Sequence, residues 1–391
     1  MQLTDIPAKF NIPFADSAGA GFKRTIPQTP TGSPGQASLT TGFPPENFEP
    51  VAAGGVPPFG SDFNGVLNQS TAWDRWQSAG VAFPPYDATF QTAIGGYPKS
   101  AIVQSLVELG LLYFCLVDNN VTNPDNGGAG WLIWFRKLTV NTTIYVNGAS
   151  GNDANNGLSP ATALATLQAA ATLAWTWPPS QFNITISIAA GTYAGFRTPS
   201  FAGPNLIVDG GSAASVIISA GSSDYAALVI GPNTMTVKNV TAQNTVPTGT
   251  FPLFGAATGA TLTTDNTISN ACGGAIWEAL PGGSVLMGTH TVKGNCYAFF
   301  YTNGGGSLTL VQGKNITIAN AITVALATAF STAAGSILVP SSSPPSFINP
   351  GNVTGSRYLC NLNGVIAISG NGINYFPGTI AGTTASGGQY A

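Results

Sequence analysis

The sequence predicts a mainly β protein built around a parallel β-solenoid, and three observations predict it. Charged residues are only 7% of the 391 residues, against about a quarter in ordinary globular domains. Gly259, Gly283 and Gly306 recur at intervals of 24 and 23, and Asn270, Asn295 and Asn320 at intervals of 25. The intervening stretches, "GATLTTDNTISNACGGAIWEALP", "GSVLMGTHTVKGNCYAFFYTNGG" and "GSLTLVQGKNITIANAITVALATAF", each start at a glycine and alternate apolar with polar residues, break, and alternate again. A period in the twenties made of strands alone is the pattern of a parallel solenoid.

Successive coils stack at about 4.8 Å, so equivalent side chains lie above one another. Like charges would then repel along the stack, which accounts for the low charge. Asn270, Asn295 and Asn320 are expected to form a hydrogen-bonded asparagine ladder at a turn. Cys272 and Cys296, 24 apart, fall in the same register and are expected to stack inside. A disulfide is within geometric reach there. The start "MQLTDIPAKF" lacks the basic and apolar regions of a secretory signal, so reduced thiols are expected.

Residues 1–56 are rich in Pro, Gly and Thr and sustain no period. They predict an extended arm, either a tail or a segment ordered only against partner subunits. Residues 57–137 predict a small α/β domain. In it, "FNGVLNQSTAWDRWQ" places Val66, Leu67, Trp73 and Trp76 at helical spacing, and "LGLLYFCLV" reads as a strand. The loop from Asp118 to Gly130 resembles a calcium loop only loosely, and turn chemistry is favoured over calcium.

The solenoid is expected from 138 to 350. It opens with the strand Ile144–Val146, then turns through Asn152, Asp153, Asn155, Asn156 and Gly157. Ser159 as N-cap and Pro160 as first helical residue predict a helix with Leu164, Leu167 and Ala171 on one face. An exposed solenoid end invites aggregation, and this helix is expected to cap it. The uncharged run Ala321–Pro340 nearly reaches membrane-spanning length, but Ile322, Val324 and Leu326 alternate as in a strand. Residues 351–391 are expected to close the fibre as a cap or trimer segment.

Composition narrows the function classes. A net charge of −3 gives no basic footprint for nucleic acid. Cys115, Cys272, Cys296 and Cys360 form no CxxC pair, and His290 is the single histidine. This spacing fits no zinc site, and no cofactor is expected.

Three segments carry a family resemblance. "GNDANNGLSPATALATLQAA" with "ISIAAGTYAGF" resembles the entry coil of right-handed parallel β-helix proteins of the pectin-lyase-like group, many of them bacteriophage tailspikes and tail fibres. "IPFADSAGAGFKRTIP", "GGVPPFGSDFNGVLNQSTAWDRWQSAG", "PYDATFQTAIGGYPKSA" and "VDNNVTNPDNGGAGW" are similar to the N-terminal region of phage tail-fibre proteins. "GVIAISGNGINYFPGTIAGTTASGGQYA" is similar to their closing segments. The resemblance implies a virion protein made in the bacterial cytoplasm. It would be a homotrimer docked by its N-terminal region on tail or baseplate proteins, with its distal part on a host surface polysaccharide.

Proteins of this fold that cleave polysaccharides use paired carboxylates, or a base with calcium. Beyond residue 140 the carboxylates are Asp153, Asp209, Asp224, Asp265 and Glu278. The first three read as turn residues. Asp265 and His290, 25 apart, are the candidate acid/base pair. The glycine and cysteine offsets, however, set Asn266 beside His290. Glu278 reads as an exposed loop carboxylate. Trp277, Tyr297 and Tyr301 are candidate glycan contacts, against a reading in which the aromatics of this stretch pack inside. The reading of first choice is host-surface attachment without catalysis. The alternatives are a polysaccharide depolymerase and an adaptor that holds another fibre.

Overall fold

The computed structural model describes residues 8–81, 83–221, 224–244 and 251–391. The chain divides into two compact units. One comprises residues up to Val107 with Leu112–Leu132, the other Glu108–Leu111 with Ile133–Ala391.

The second unit is a parallel β-solenoid of about seven turns, whose strands fall into three stacked sheets. Sheet A contains Thr142–Val146, Asn183–Ile188, Asn205–Asp209, Thr234–Lys238, Thr261–Asp265, Ser284–Met287, Ser307–Leu310, Ser336–Leu338, Val365–Ala367 and Gln389–Tyr390. Sheet B runs from Gly191–Ala194 through Thr267–Ser269 and His290–Val292 to Ser346–Ile348. Sheet C runs from Phe196–Arg197 through Ala227–Ile230, Phe254–Ala257, Ala275–Ala279, Cys296–Thr302 and Ile322–Ser331 to Tyr358–Cys360 and Thr383–Thr384. Strand pairing therefore continues past residue 350 to Tyr390.

Period-two alternation builds the core. Ile184, Leu206, Met235, Leu262, Val285, Leu308, Ile337 and Ile366 form one inward column of sheet A, each opposite the next and each almost fully buried. Each such side chain contributes roughly 1.5–3 kcal/mol of burial. The run from Ala321 to Pro340 is strand, Ile322–Ser331 and Ser336–Leu338. Among the described residues no helix is long and apolar enough to cross a membrane.

The entry coil differs from its expected form. Ser159 caps only the single 3-10 turn Pro160–Thr162. Leu164 then returns to extended backbone and bridges Val146, so it lies outside the helix. The helix is Leu167–Ala174, with the Thr166 hydroxyl accepting from the Ala169 N–H. Asp153 fixes the turn by accepting from the N–H groups of Ala165 and Thr166 and from the Thr166 hydroxyl. Leu167, Ala170, Ala171 and Ala174 face the core. Gln168 satisfies the outer strand of sheet C, accepting from the Arg197 N–H and donating to its carbonyl. Nearby, Arg136 forks onto Glu108 at 2.7 and 2.6 Å and lies 3.2 Å over the Trp177 ring.

The asparagine ladder forms at other residues. Asn270 donates to Gln243, Asn295 accepts from the Thr323 N–H, and Asn320 donates to the Lys293 carbonyl. Coil length varies: Thr241 lies opposite Ile268, Thr267 opposite His290 and His290 opposite Ile316, offsets of 27, 23 and 26. A constant period of 25 therefore loses register. The observed ladder is Asp209, Asn239 and Asn266, with amide bonds of 2.7 and 2.6 Å. Asn239 and Asn266 have positive φ, 57° and 48°, a region that asparagine tolerates. Cys272 and Cys296 are buried free thiols on neighbouring coils. Burial and the adjacent Cys272 thiol push Cys296 well above the ordinary thiol range. The sparse charges alternate in sign along sheet A, with Asp209, Lys238 and Asp265 on successive strands.

The N-terminal unit is built on the helix Gly60–Ser78. The preceding segment runs antiparallel along its polar side: Asn64 donates to the Phe22 carbonyl, Asn68 to the Phe14 carbonyl and Lys9 to the Ser78 carbonyl. Asp62, fully buried, holds Arg24 in a two-pronged ion pair of 2.6 and 2.7 Å. Burial opposes the Asp62 charge, but Arg24 and the Ala37 N–H outweigh it and hold the carboxyl below its ordinary range. A short helix, Ala88–Ile94, starts on the Asp87 carboxylate. In the loop from Asp118 to Gly130, Asp118 accepts from the Lys99 N–H, Asn120 from Thr122, and Asp125 from Ser105 and the Leu106 N–H. These are turn and loop-anchoring bonds.

Candidate functional site

The structure does not bring Asp265 and His290 together. Asp265 ends a strand of sheet A with its side chain outward, opposite the position of Gly288. With no side chain at 288, the Asp265 carboxylate folds across the backbone and accepts from the Thr289 N–H at 2.8 Å and from Lys314 at 3.0 Å. Partial burial would raise its pKa, yet these two donors hold it below the ordinary range. His290 points inward from sheet B. Its Nδ1 is hydrogen-bonded to the Thr267 hydroxyl at 2.7 Å and its Nε2 to the Ser269 hydroxyl at 3.0 Å. Complete burial drives its pKa down to about 3. The two side chains lie on opposite sides of the solenoid wall, because the neighbour of His290 across the ladder is Thr267.

Trp277 also belongs to the interior. It is fully buried, stacks on Phe300 at 5.4 Å, meets the His290 ring edge-on at 4.4 Å and donates to the Thr264 hydroxyl at 2.9 Å. This indole completes a polar node with His290, Thr264, Thr267 and Ser269, all nearly inaccessible to solvent. A glycan cannot reach it. Tyr297 and Tyr301, by contrast, lie on the outer face of sheet C. Tyr297 is 38% exposed, and Tyr301 stacks on Phe330 of the next strand at 4.9 Å with nearly parallel rings.

That outer face also holds Glu278, expected in an exposed loop and instead a buried strand residue. Glu278 is in the strand Ala275–Ala279 and is only 6% exposed. Its column contains Gly255, Glu278, Tyr301 and Phe330 on successive strands. The missing side chain at Gly255 admits the Tyr225 ring. The Tyr225 hydroxyl thereby reaches Glu278 and donates to its Oε2 at 2.7 Å. No ion pair among the described residues involves Glu278. Burial pushes its carboxyl above the ordinary carboxylate range, and the Tyr225 hydrogen bond only partly offsets this. Burial, then the Glu278 charge, raise the Tyr225 hydroxyl as well. Asp224, next to Tyr225, pairs with Arg197 at 2.9 Å.

Chemically, this face offers flat rings for stacking, hydroxyls for hydrogen bonds and one carboxyl whose pKa burial raises. Tyr225 and Glu278 are 53 residues apart, about two coils, and no local motif marks them. The usable signal was the column itself, which requires the true coil lengths. Among the described residues no group of three His, Cys, Asp or Glu side chains is placed to hold a metal ion. No protein-family model, curated protein or solved structure matches the chain.

Proposed function

We propose that the chain is a tail-fibre or tailspike component of a phage virion that attaches to a host-surface glycan through the outer face of sheet C. The observation that carries this reading is the aromatic and carboxyl column of Glu278, Tyr301 and Phe330, with Tyr297 beside it, on a parallel solenoid. Sugar rings stack on such faces, and their hydroxyls pair with carboxyl and phenol groups. In this reading the solenoid is right-handed and the helix Leu167–Ala174 caps its first coil. Residues 1–56 form an arm, residues 57–137 a small α/β domain that docks on tail or baseplate proteins, and residues 351–391 a closing segment. The assembly is a homotrimer on the virion, formed in the bacterial cytoplasm, that neither binds nucleic acid nor inserts in a membrane. The quoted N-terminal segments support the virion part.

The test is binding of the purified chain to a panel of bacterial envelope polysaccharides. The double substitution Tyr297→Ala with Tyr301→Ala should weaken a detected interaction by at least about tenfold, roughly 1.4 kcal/mol. An unchanged affinity would move the contact elsewhere, and no binding across the panel would sink the glycan reading.

One observation favours a second reading. Burial raises the pKa of the Glu278 carboxyl, the direction that suits a group protonating a glycosidic oxygen, so Glu278 is the candidate proton donor if the chain cleaves its glycan. Release of reducing ends that persists in Glu278→Gln would exclude it.

A further inference from the structure

Cys272 and Cys296 are free thiols that the attachment reading leaves unused. Cys272 lies in the turn between the strands Thr267–Ser269 and Ala275–Ala279, and Cys296 opens the strand Cys296–Thr302 on the next coil. The Cys272 N–H donates to the Asn295 carbonyl at 2.9 Å. In a parallel ladder an N–H reaches the carbonyl just before its opposite residue, so this bond sets Cys272 across from Cys296. Neighbouring strands lie about 4.8 Å apart, inside the Cα separation of roughly 4.4–6.8 Å that a disulfide spans. Both side chains enter the same core cluster, 3% and 4% exposed, so their sulfurs share one space. The other two cysteines lie apart from this pair. Cys115 belongs to the N-terminal unit. Cys360 is opposite Ser331, which is opposite Thr302 at the far end of the Cys296 strand.

We infer that Cys272 and Cys296 form a redox-sensitive clamp, open as thiols in a reducing compartment and closed to a disulfide by a small disulfide oxidant of the glutathione class outside it. Cys272 is placed to react first. It sits in a turn beside the exposed Ala271, whereas burial and the neighbouring thiol hold Cys296 above the ordinary thiol range. The Cys272 thiol gives up its proton and its sulfur attacks the oxidant's S–S bond. A mixed disulfide forms and one small thiolate leaves. The Cys296 thiol then gives up its proton and attacks the Cys272 sulfur, which forms the protein disulfide and expels the second small thiolate. The two released thiolates take up the two protons, and the two electrons lost by the cysteines reduce the oxidant.

The closed clamp ties the strand that carries Glu278 to the strand that carries Tyr297 and Tyr301. It also closes a loop between residues 24 apart, which restricts the unfolded chain. The compartment change rests on the virion reading, in which the chain is made in the cytoplasm and works outside the cell. The thiol chemistry does not depend on that reading or on glycan binding.

The experiment uses the full chain, reduced, freed of reductant and incubated with oxidised glutathione. Intact mass and peptide mapping follow the cysteines, and urea unfolding rates are measured before and after. The incubation is repeated in urea just below the unfolding midpoint, where the turn at Cys272 opens. Cys272→Ser and Cys296→Ser are treated in parallel.

The expected product is lighter by two hydrogen atoms and yields one linked peptide joining Cys272 to Cys296. It should unfold at least about tenfold more slowly than the reduced chain, and added reductant should reverse this. Each serine variant should stop at a glutathione adduct. The unchanged chain decides by its linked peptide even if a variant fails to fold. A stable adduct on the unchanged chain, a link through Cys115 or Cys360, thiols that stay free under both conditions, or a disulfide that leaves the unfolding rate unchanged overturns the clamp. Each of these leaves the glycan reading standing, since that reading is tested by binding.

Discussion

The single imidazole should stay neutral far into the acid range. His290 is enclosed by Trp277, Thr267 and Ser269, and no carboxylate contacts its ring nitrogens. Burial takes its pKa from an ordinary 6.5 to about 3. That displacement corresponds to about 5 kcal/mol between the protonation states. An unfolded chain binds the proton near pH 6.5, whereas the folded chain does not until about pH 3. The stability is therefore fully present above pH 6.5 and is lost progressively as pH falls towards 3.

With one histidine in the chain, the Cε1 proton signal of a selectively labelled sample needs no assignment. The expected titration shows a constant shift from pH 8 to below pH 5. Urea midpoints over the same range should fall for the unchanged chain more steeply than for His290→Gln. A midpoint near 6.5 would mean that the ring is hydrated. A midpoint above it would place a carboxylate beside the ring and restore the Asp265 pairing. Either result would refute the enclosure of His290 by Trp277, Thr267 and Ser269.

Further outcomes follow from the interior around Trp277 and from the outer face of sheet C. Trp277→Ala should cost about 3–5 kcal/mol. Trp277→Phe leaves the Thr264 hydroxyl buried without its donor and should cost about 1–3 kcal/mol. Adding Thr264→Val should recover part of that loss, and strict additivity in urea unfolding would contradict the bond. Glu278 has a raised pKa, so its stabilising contribution is complete at low pH and is lost as pH rises through the folded value. Glu278→Gln should therefore gain thermal stability over the unchanged chain at pH 8 and show no gain at pH 4. Gly255→Ala should displace the Tyr225 ring from Glu278 and destabilise by about 1–3 kcal/mol, which thermal unfolding beside Glu278→Gln would measure.

The repeated alternation was legible because a strand exposes its period directly: Leu262, Val285 and Leu308 stand in line in the sequence and in the core. The Gly60–Ser78 helix and the Asx-rich turns were legible for the same reason, since their signals are local. The candidate site was not. Asp265 and His290 are 25 apart, close to the mean coil length, yet their coils differ by enough to set one outward and the other inward. Glu278 resembled an exposed loop residue because the Tyr225 that covers it lies about two coils away.

The sequence by itself determined that the chain is a low-charge stack of short strands, because apolar alternation and turn residues act within a few positions of each other. Only the tertiary structure decided which asparagines form the ladder, which aromatics are core and which carboxyl is buried. Those outcomes depend on the length of every intervening coil, and a change of one residue moves a side chain to the opposite face of the sheet.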